Sequence, residues 1–466
     1  MKKIAFIILS LLLACTLAEA RKVTGRVHCG DEPLSGVIVT DGAHFARTRA
    51  NGKFRLKVSD GAKFVFVVTP SGYTADFSSG APQFYRRAEG EKTFDFDLLR
   101  ARDVPGCTLF SVSDPQFKDE RQFAQFCGKP LEDLIARSGE YGARSNTAGV
   151  ALGDICWDSY EFFEPYKREI ARTGVPFYAV IGNHDHNKDK VGDEACREDF
   201  EAAFGPVDYA FFLGNDLVIC LDNIIYEGGK KYEEGYTDWE LDFVAGLLEH
   251  IPADTHLFIA QHSPLYRWWN KTDIIGAEEL LSLLDGYSVD FLSGHTHIQN
   301  NLSYSADIQE HNAPSICGAW WDTEYCHDGT PRGYQIFTCT DGSLSWITHP
   351  IDHPDSFQYE IILPGQSAWH PDAIVANIWD YDADWSVDWY QDGNPKGAME
   401  EVLDCSPTFI RQIERAHPDG KIPGFKKPRR NVHYFAARPD STARHVDIVI
   451  RSRNGDVWQE GIELNP

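Results

Sequence analysis

Ile181-Gly182-Asn183-His184-Asp185 closes an apolar run, Val175 to Ile181, that reads as a buried strand. A strand running into Gly-Asn-His-Asp sets an amide, an imidazole and a carboxylate on one sharp loop. Four more stretches repeat the arrangement. Ser113-Asp114-Pro115-Gln116 and Gly153-Asp154 lie upstream; Gln261-His262 and Gly294-His295-Thr296-His297 lie downstream. Each follows an apolar, β-rich run: Cys107–Val112, Ala148–Leu152, Thr255–Ala260 and Val289–Ser293. Helical patterns alternate with these runs at Glu120–Arg137, Tyr160–Arg172, Glu194–Phe204, Thr237–Leu248 and Ala277–Leu284. That alternation predicts an α/β layered domain over residues 104–349, and in such sheets ligands gather outside the carboxyl ends of strands.

Hydrolysis of a phosphoester at neutral pH needs a hydroxide, neutralisation of the phosphoryl oxygens and a protonated leaving group. Two divalent metals held by oxygen and imidazole donors supply the first two. The strand ends offer such a set. Asp114, Gln116, Asp154 and His297 suit one metal; Asp154, Asn183, His262 and His295 suit the other, with Asp154 bridging. His184 stands where it can act on the leaving group.

These five motifs in order resemble the calcineurin-like metallophosphoesterase family over residues 107 to about 300. The resemblance implies a dinuclear centre of two divalent ions (Mn, Fe or Zn, with Mn the metal for work in vitro). It implies attack on phosphate mono- or diesters by a metal-bridging hydroxide, with His184 as general acid. Most of the family carries Asp-x-His where this chain has Asp114-Pro115-Gln116, and an amide oxygen binds hard cations without imidazole's affinity. The acid's carboxylate partner is placed at Asp158, four residues after the bridging Asp154. The Gln116 departure leaves an alternative open: a non-enzymatic envelope- or carbohydrate-binding protein with a degenerate metal centre. His186 reads as a surface residue and His256 as structural; His311 and His327 are the reserve ligands.

Two aromatic-basic stretches are candidates for the substrate pocket. Tyr266-Arg267-Trp268-Trp269-Asn270 follows His262, and Trp320-Trp321 precedes Thr330-Pro331-Arg332. Arginine suits phosphate oxygens and tryptophan a ring face, so Asn183, Trp268, Trp269, Trp321 and Arg332 are the expected substrate contacts.

Residues 21–103 alternate apolar and polar positions between Asp-Gly and Asn-Gly turns, the pattern of a small Ig-like β-sandwich. Residues 350–466 read as a second β-rich domain, with strands at Tyr359–Leu363, Ile374–Ile378, Trp385–Tyr390, Val432–Ala436 and Asp447–Val457. Residues 1–20 read as a signal peptide: Lys2 and Lys3, an apolar Ile4–Leu13, then Ala18-Glu19-Ala20. This predicts export to the periplasm or beyond, with a lipoprotein anchored through Cys15 as the alternative. The chain holds 11 cysteines, ten beyond Cys15. Disulfides are open to an exported chain, though pairing cannot be read from spacing.

The 466 residues carry a net charge of −26. That sign disfavours a nucleic-acid partner but not a small phosphorylated substrate, or a phosphorylated glycan or lipid head group, once bound cations reverse the local field. No later apolar run approaches the ~20 residues of a membrane span.

Overall fold

The computed structural model describes residues 21–464 except Asp103, Pro105, residues 268–273 and Asp341. The signal-peptide reading, Cys15, Trp268 and Trp269 therefore lie outside the described residues.

The strands of the central region are β1 (Cys107–Val112), β2 (Asn146–Leu152), β3 (Phe177–Val180), β4 (Tyr209–Leu213), β5 (Asp216–Cys220), β6 (Ile224–Gly228), β7 (Lys231–Glu234), β8 (Leu257–Ala260), β9 (Val289–Ser293), β10 (Asn300–Ser303), β11 (Ile308–Asn312), β12 (Gly333–Thr340) and β13 (Ser343–Pro350). They form two mixed sheets. The first runs β3-β2-β1-β12-β13 and the second β4-β5-β8-β9-β11-β10, with β6 and β7 as a separate hairpin. Within the first sheet β1, β2 and β3 are parallel; within the second β5, β8, β9 and β11 are parallel. The parallel strands deliver their following loops to one edge of each sheet.

Period-two alternation separates the faces. Leu109 and Val150 point into a core shared with Val218, Ile259 and Phe291 of the second sheet. Their neighbours Phe110 and Ala151 face the opposite way, onto Leu131, Leu134, Phe163 and Tyr166 of covering helices. Helix Asp238–Leu248 covers the other sheet through Phe243, Val244 and Leu247, and opens on a Thr237/Glu240 capping box.

The expected helix Glu120–Arg137 is two helices, Glu120–Phe126 and Lys129–Gly142. Gly128 caps the second and Pro130 sits in its first turn, where a missing N–H costs nothing. The expected strand Asp447–Val457 is likewise two strands, His445–Arg451 and Val457–Glu463, paired antiparallel across a turn holding Asn454-Gly455.

At the N-terminal side two four-stranded sheets form a β-rich region, in which Lys53–Val58 alternates exposed and buried residues. It joins the edge of the second sheet where Phe212 N donates to Thr69 O at 2.8 Å. At the C-terminal side two antiparallel four-stranded sheets enclose Ile374, Val387, Phe435, Ile448 and Ile450. This region docks on Asp328, which accepts from Asn431 Nδ2 at 3.0 Å and lies 3.1 Å from His433 Nε2. Trp379 and Trp385 are buried in it, so they present no ring face to a ligand. Among the described residues no helix is long and apolar enough to cross a membrane.

Candidate metal centre

The loops after β1, β2, β3, β8 and β9 meet, and their glycines explain how closely. A Cβ on Gly153 would lie 2.6 Å from His262 Nδ1, and one on Gly182 would lie 2.3 Å from Asp154 N. Any side chain at either position would force the Asp154 and Asn183 loops apart.

Asp154, His262 and His295 bring one donor atom each within 4.8 Å of one another. His262 Nε2 lies 3.4 Å from Asp154 Oδ1, 3.2 Å from Asn183 Oδ1 and 3.0 Å from His295 Nδ1. His262 Nδ1 faces the Leu152 carbonyl at 2.7 Å, which fixes the proton there and leaves Nε2 as the lone-pair donor. His295 is held the other way round: its Nε2 lies 3.2 Å from Glu234 Oε1 on β7, so Nδ1 faces the cluster. Burial opposes protonation of His262, yet the charges of Asp154 and Asp114 lift it to about 9, so at neutral pH the metal-free ring carries a proton on Nε2 as well, which a cation must displace before that nitrogen can ligate. The cluster is thus a site of strong negative potential, suited to cations.

On the other side of Asp154 stand Asp114, Gln116 and His297. Gln116 Nε2 donates to Asp154 Oδ2 at 2.8 Å. His297 Nδ1 faces the Gly318 carbonyl at 3.2 Å, leaving Nε2 toward Asp114 Oδ1 at 3.4 Å. Asp114 Oδ1, Gln116 Oε1 and His297 Nε2 are all buried without a hydrogen-bond partner. Three orphaned donor atoms of this kind, beside a carboxylate shared with the His262 cluster, fit a divalent cation.

The backbone is bent to suit. Asp114, Gln116, Asp154, Asp158, His295 and His297 all have φ between 44° and 65°, in the left-handed region that side chains other than glycine avoid. The turns aim five of the seven donor residues inward at a conformational cost.

Asp185 ties the loops together. Its carboxylate accepts from the backbone N–H groups of Ile155, Cys156 and Gly182 at 3.0 to 3.2 Å. Burial and then the Asp154 charge push it up to about 7 in spite of these donors.

His184 sits beside the cluster with Nδ1 2.9 Å from Asp158 Oδ1. The second Asp158 oxygen pairs with Lys230 at the β6–β7 hairpin tip. Burial lowers the affinity of His184 for a proton, but Asp154 and Asp158 outweigh it and hold its pKa above the ordinary histidine value. Trp157 lies 4.6 Å from the His184 ring, and Trp320 stacks on His297 at 4.1 Å. Phe425, from a C-terminal loop, touches both tryptophans at 5.5 and 4.9 Å. Together they make an aromatic wall reaching from one imidazole to the other.

Three family models cover the chain in succession. The N-terminal part of calcineurin-like phosphoesterases matches residues 21–101, the calcineurin-like phosphoesterase domain itself residues 113–299, and the C-terminal part residues 310–458. The chain belongs to the calcineurin-like phosphoesterases. It is accordingly a metal-dependent phosphoric ester hydrolase, not the non-enzymatic binding protein that Gln116 left open, and a dinuclear metal centre is typical of its family.

Among solved structures this phosphoesterase is similar to a dimetal phosphatase from Danio rerio, with 14% identity and a TM-score of 0.37, over 53% of this chain and 100% of that one. A purple acid phosphatase from yellow lupin seeds gives 11% identity and a TM-score of 0.39, over 64% of this chain and 60% of that one. A 5'-nucleotidase from Candida albicans gives 11% identity and a TM-score of 0.33, over 53% of each chain. No curated protein matches the chain in sequence.

Several expectations need correction. His186 is fully buried rather than on the surface: its ring stacks on Tyr226 at 5.0 Å and Nδ1 faces the Gly182 carbonyl at 2.9 Å. Trp321 is core, not substrate wall. Its Nε1 donates to the Pro115 carbonyl at 2.9 Å, anchoring the Asp114–Gln116 loop from behind. Arg332 turns to Asp352 at 3.4 Å and Glu324 at 3.8 Å, away from the donor cluster. Neither reserve ligand is in the cluster. His311 binds Asp290 and Asn301, and His327 joins the Thr296 and Phe425 carbonyls.

The sequence reading missed Trp157, Lys230, Glu234 and Phe425. Trp157 stood in plain view between Asp154 and Asp158, an aromatic on a ligand loop that could have been singled out, whereas Lys230, Glu234 and Phe425 arrive from a hairpin and a distant loop whose paths only the tertiary fold decides. Arg267 and Trp320 stood in quoted stretches without a role. Arg267 pairs with Glu234 at 2.7 Å, completing the support behind His295.

Proposed function

We propose that this is an exported phosphoesterase acting on small phosphate esters whose leaving group carries a flat ring or sugar face. Asp114, Gln116, Asp154 and His297 hold one divalent cation; Asp154, Asn183, His262 and His295 hold the other, with Mn²⁺ the ion to load first. When bound, such a pair supplies Lewis acidity toward phosphoryl oxygens and a nucleophile at neutral pH.

The observation that carries the reading is the His184–Asp158 pair beside a complete two-sided donor set. Asp158 fixes the His184 proton on Nδ1 or balances its charge, and Nε2 then delivers a proton to the departing alkoxide. Asn183, on the same loop, orients a phosphoryl oxygen. The aromatic wall of Trp157, Phe425 and Trp320 excludes water and offers a face to the leaving group. The charge of the whole chain argues against polynucleotides as substrates.

The test is turnover of p-nitrophenyl phosphate, its bis-ester and an alkyl phosphate by chelated protein to which Mn²⁺ is returned. Metal-dependent turnover with a preference for the aryl monoester supports the reading; no turnover of any ester with two ions bound would overturn it. Export is tested separately, by the N-terminal residue of the mature protein after fractionation of the source cells. A mature chain starting near Arg21 is expected, and an uncleaved Met1 would rule the signal-peptide reading out.

A further inference from the structure

Cys107, Asp216 and Cys339 bring Sγ, a carboxylate oxygen and Sγ within 4.8 Å of one another, at the opposite end of the sandwich from the catalytic cluster. Cys107 opens β1 and Asp114 follows its far end, a separation of roughly 20 Å at about 3.3 Å per residue. Cys339 is the direct antiparallel partner of Cys107 across the β1–β12 pair. Asp216 opens β5 in the facing sheet, and its Oδ2 accepts from the Cys107 thiol at 3.4 Å. Three strands from two sheets therefore point donors at one spot.

The carboxylate is itself oriented from behind. Asp216 Oδ1 lies 3.4 Å from His256 Nδ1, and His256 Nε2 lies 2.7 Å from Asp290 Oδ2. The other Asp290 oxygen holds His311 Nε2 at 2.7 Å. A carboxylate with a fixed imidazole behind it and two thiols before it has the build of a ligand backed by outer-shell support.

We propose that Cys107, Cys339 and Asp216 form a third, structural metal site for a thiophilic divalent ion, zinc by preference, separate from the catalytic pair. Two thiolates and a carboxylate suit Zn²⁺, and half-buried Cys339 leaves a side open for water as the fourth ligand. Tetrahedral Zn–S bonds of about 2.3 Å put donors about 3.8 Å apart, within reach of the observed spread by side-chain rotation. Binding releases two protons, one from each thiol, and involves no electron transfer. Burial, reinforced by Asp216, raises the pKa of both thiols and makes them poor thiolates until a cation arrives. A cross-strand disulfide is the competing use of the same pair. It would remove the S–H that Asp216 Oδ2 accepts and leave that oxygen, on a residue only 6% exposed, without its thiol donor, while His256 still faces Oδ1.

Cobalt distinguishes the two metal environments, because the proposed catalytic donors are nitrogen and oxygen only. Reduced protein titrated with Co²⁺ is expected to bind three equivalents and to develop near-ultraviolet thiolate-to-cobalt charge-transfer absorption saturating at one. Cys339→Ser should lose that absorption and one equivalent while phosphoesterase turnover is kept. Asp216→Asn, which retains both thiols, should weaken the third site at least tenfold with the absorption recovered at high Co²⁺. Two results would overturn the proposal: an equal charge-transfer band in Cys339→Ser, or reduced wild-type protein that binds no third ion. A Cys107–Cys339 disulfide in the isolated protein, with no third ion bound after reduction, would assign the pair to oxidation instead.

Discussion

Glu234 Oε1 lies 3.2 Å from Nε2 of His295, so a carboxylate on the β6–β7 hairpin decides which nitrogen of a metal-cluster histidine faces inward. Glu234 is in turn held by Arg267 at 2.7 Å. Glu234→Gln should therefore weaken the His262/His295 site by roughly 10–100-fold, the usual cost of losing an outer-shell partner. Calorimetric Mn²⁺ titration reads this at a temperature where the metal-free variant is still folded, since the Arg267 guanidinium also loses its charged partner. An unchanged affinity would mean that His295 is not a ligand or is oriented by something else.

His184→Ala should leave both ions bound and lower kcat by roughly 10²–10⁴, the ordinary worth of general acid–base catalysis. Asp158→Asn should do the same to a lesser degree, since the amide oxygen that replaces the carboxylate can still accept from His184 Nδ1. The loss should be smallest for p-nitrophenyl phosphate and largest for an alkyl ester. Equal losses for both leaving groups would remove His184 from the acid role.

Gln116 gives a metal-preference test. Its Nε2 donates to Asp154 while its Oε1 is buried without a partner. Gln116→His should tighten the Asp114/His297 site and shift its preference toward Zn²⁺, with turnover retained. Gln116→Ala should lose affinity at that site first, with activity partly restored at high Mn²⁺. Metal content and kinetics that ignore the alanine would show that Gln116 ligates nothing.

The ion pairs of His256 make a pH prediction. Burial opposes its charge, but Asp216 and Asp290 raise its pKa from 6.5 to about 9. A raised histidine contributes stability fully below its unfolded pKa and loses it as pH climbs through the folded one. The metal-free protein should therefore lose more thermal stability between pH 6.5 and 9.5 than His256→Gln does. Parallel melting curves for the two proteins would place the contribution of these pairs at nil.

That these side chains meet was legible in the sequence because chemistry and local geometry coincide at strand ends. Asp114, Asp154, Asn183, His262, His295 and His297 each follow an apolar run, and the glycines beside Asp154 and Asn183 mark backbones that must nearly touch. What supports the donors was not legible. Glu234 and Lys230 come from a hairpin whose Gly228-Gly229 marks its turn but not where it docks, and Phe425 from a loop more than a hundred positions beyond His297. Trp320 and Trp321 show the limit well: adjacent and chemically identical, one stacks on His297 and the other locks the Pro115 carbonyl from the core. Only the backbone, left-handed at both, sends them to opposite tasks. Helix ends failed for a simpler reason, since Gly128-Lys129-Pro130 both stops one helix and starts the next.

Strand β12 pairs along most of β1, yet it falls in the stretch matched by the C-terminal family model, which begins at residue 310. The same stretch contributes Phe425 to the aromatic wall and most of β11 to the second sheet. The parts of this chain are thus not interchangeable units. A graft of residues 113–299 onto another scaffold would carry all seven donor residues but leave β1 and its partner strand behind, and would strip Trp320 from His297 and the Phe425 ring that links Trp320 to Trp157. A recombination that kept the first sheet whole would have to place its breakpoint past Pro350, and would take its ring between Trp157 and Trp320 from whichever C-terminal loop came with it.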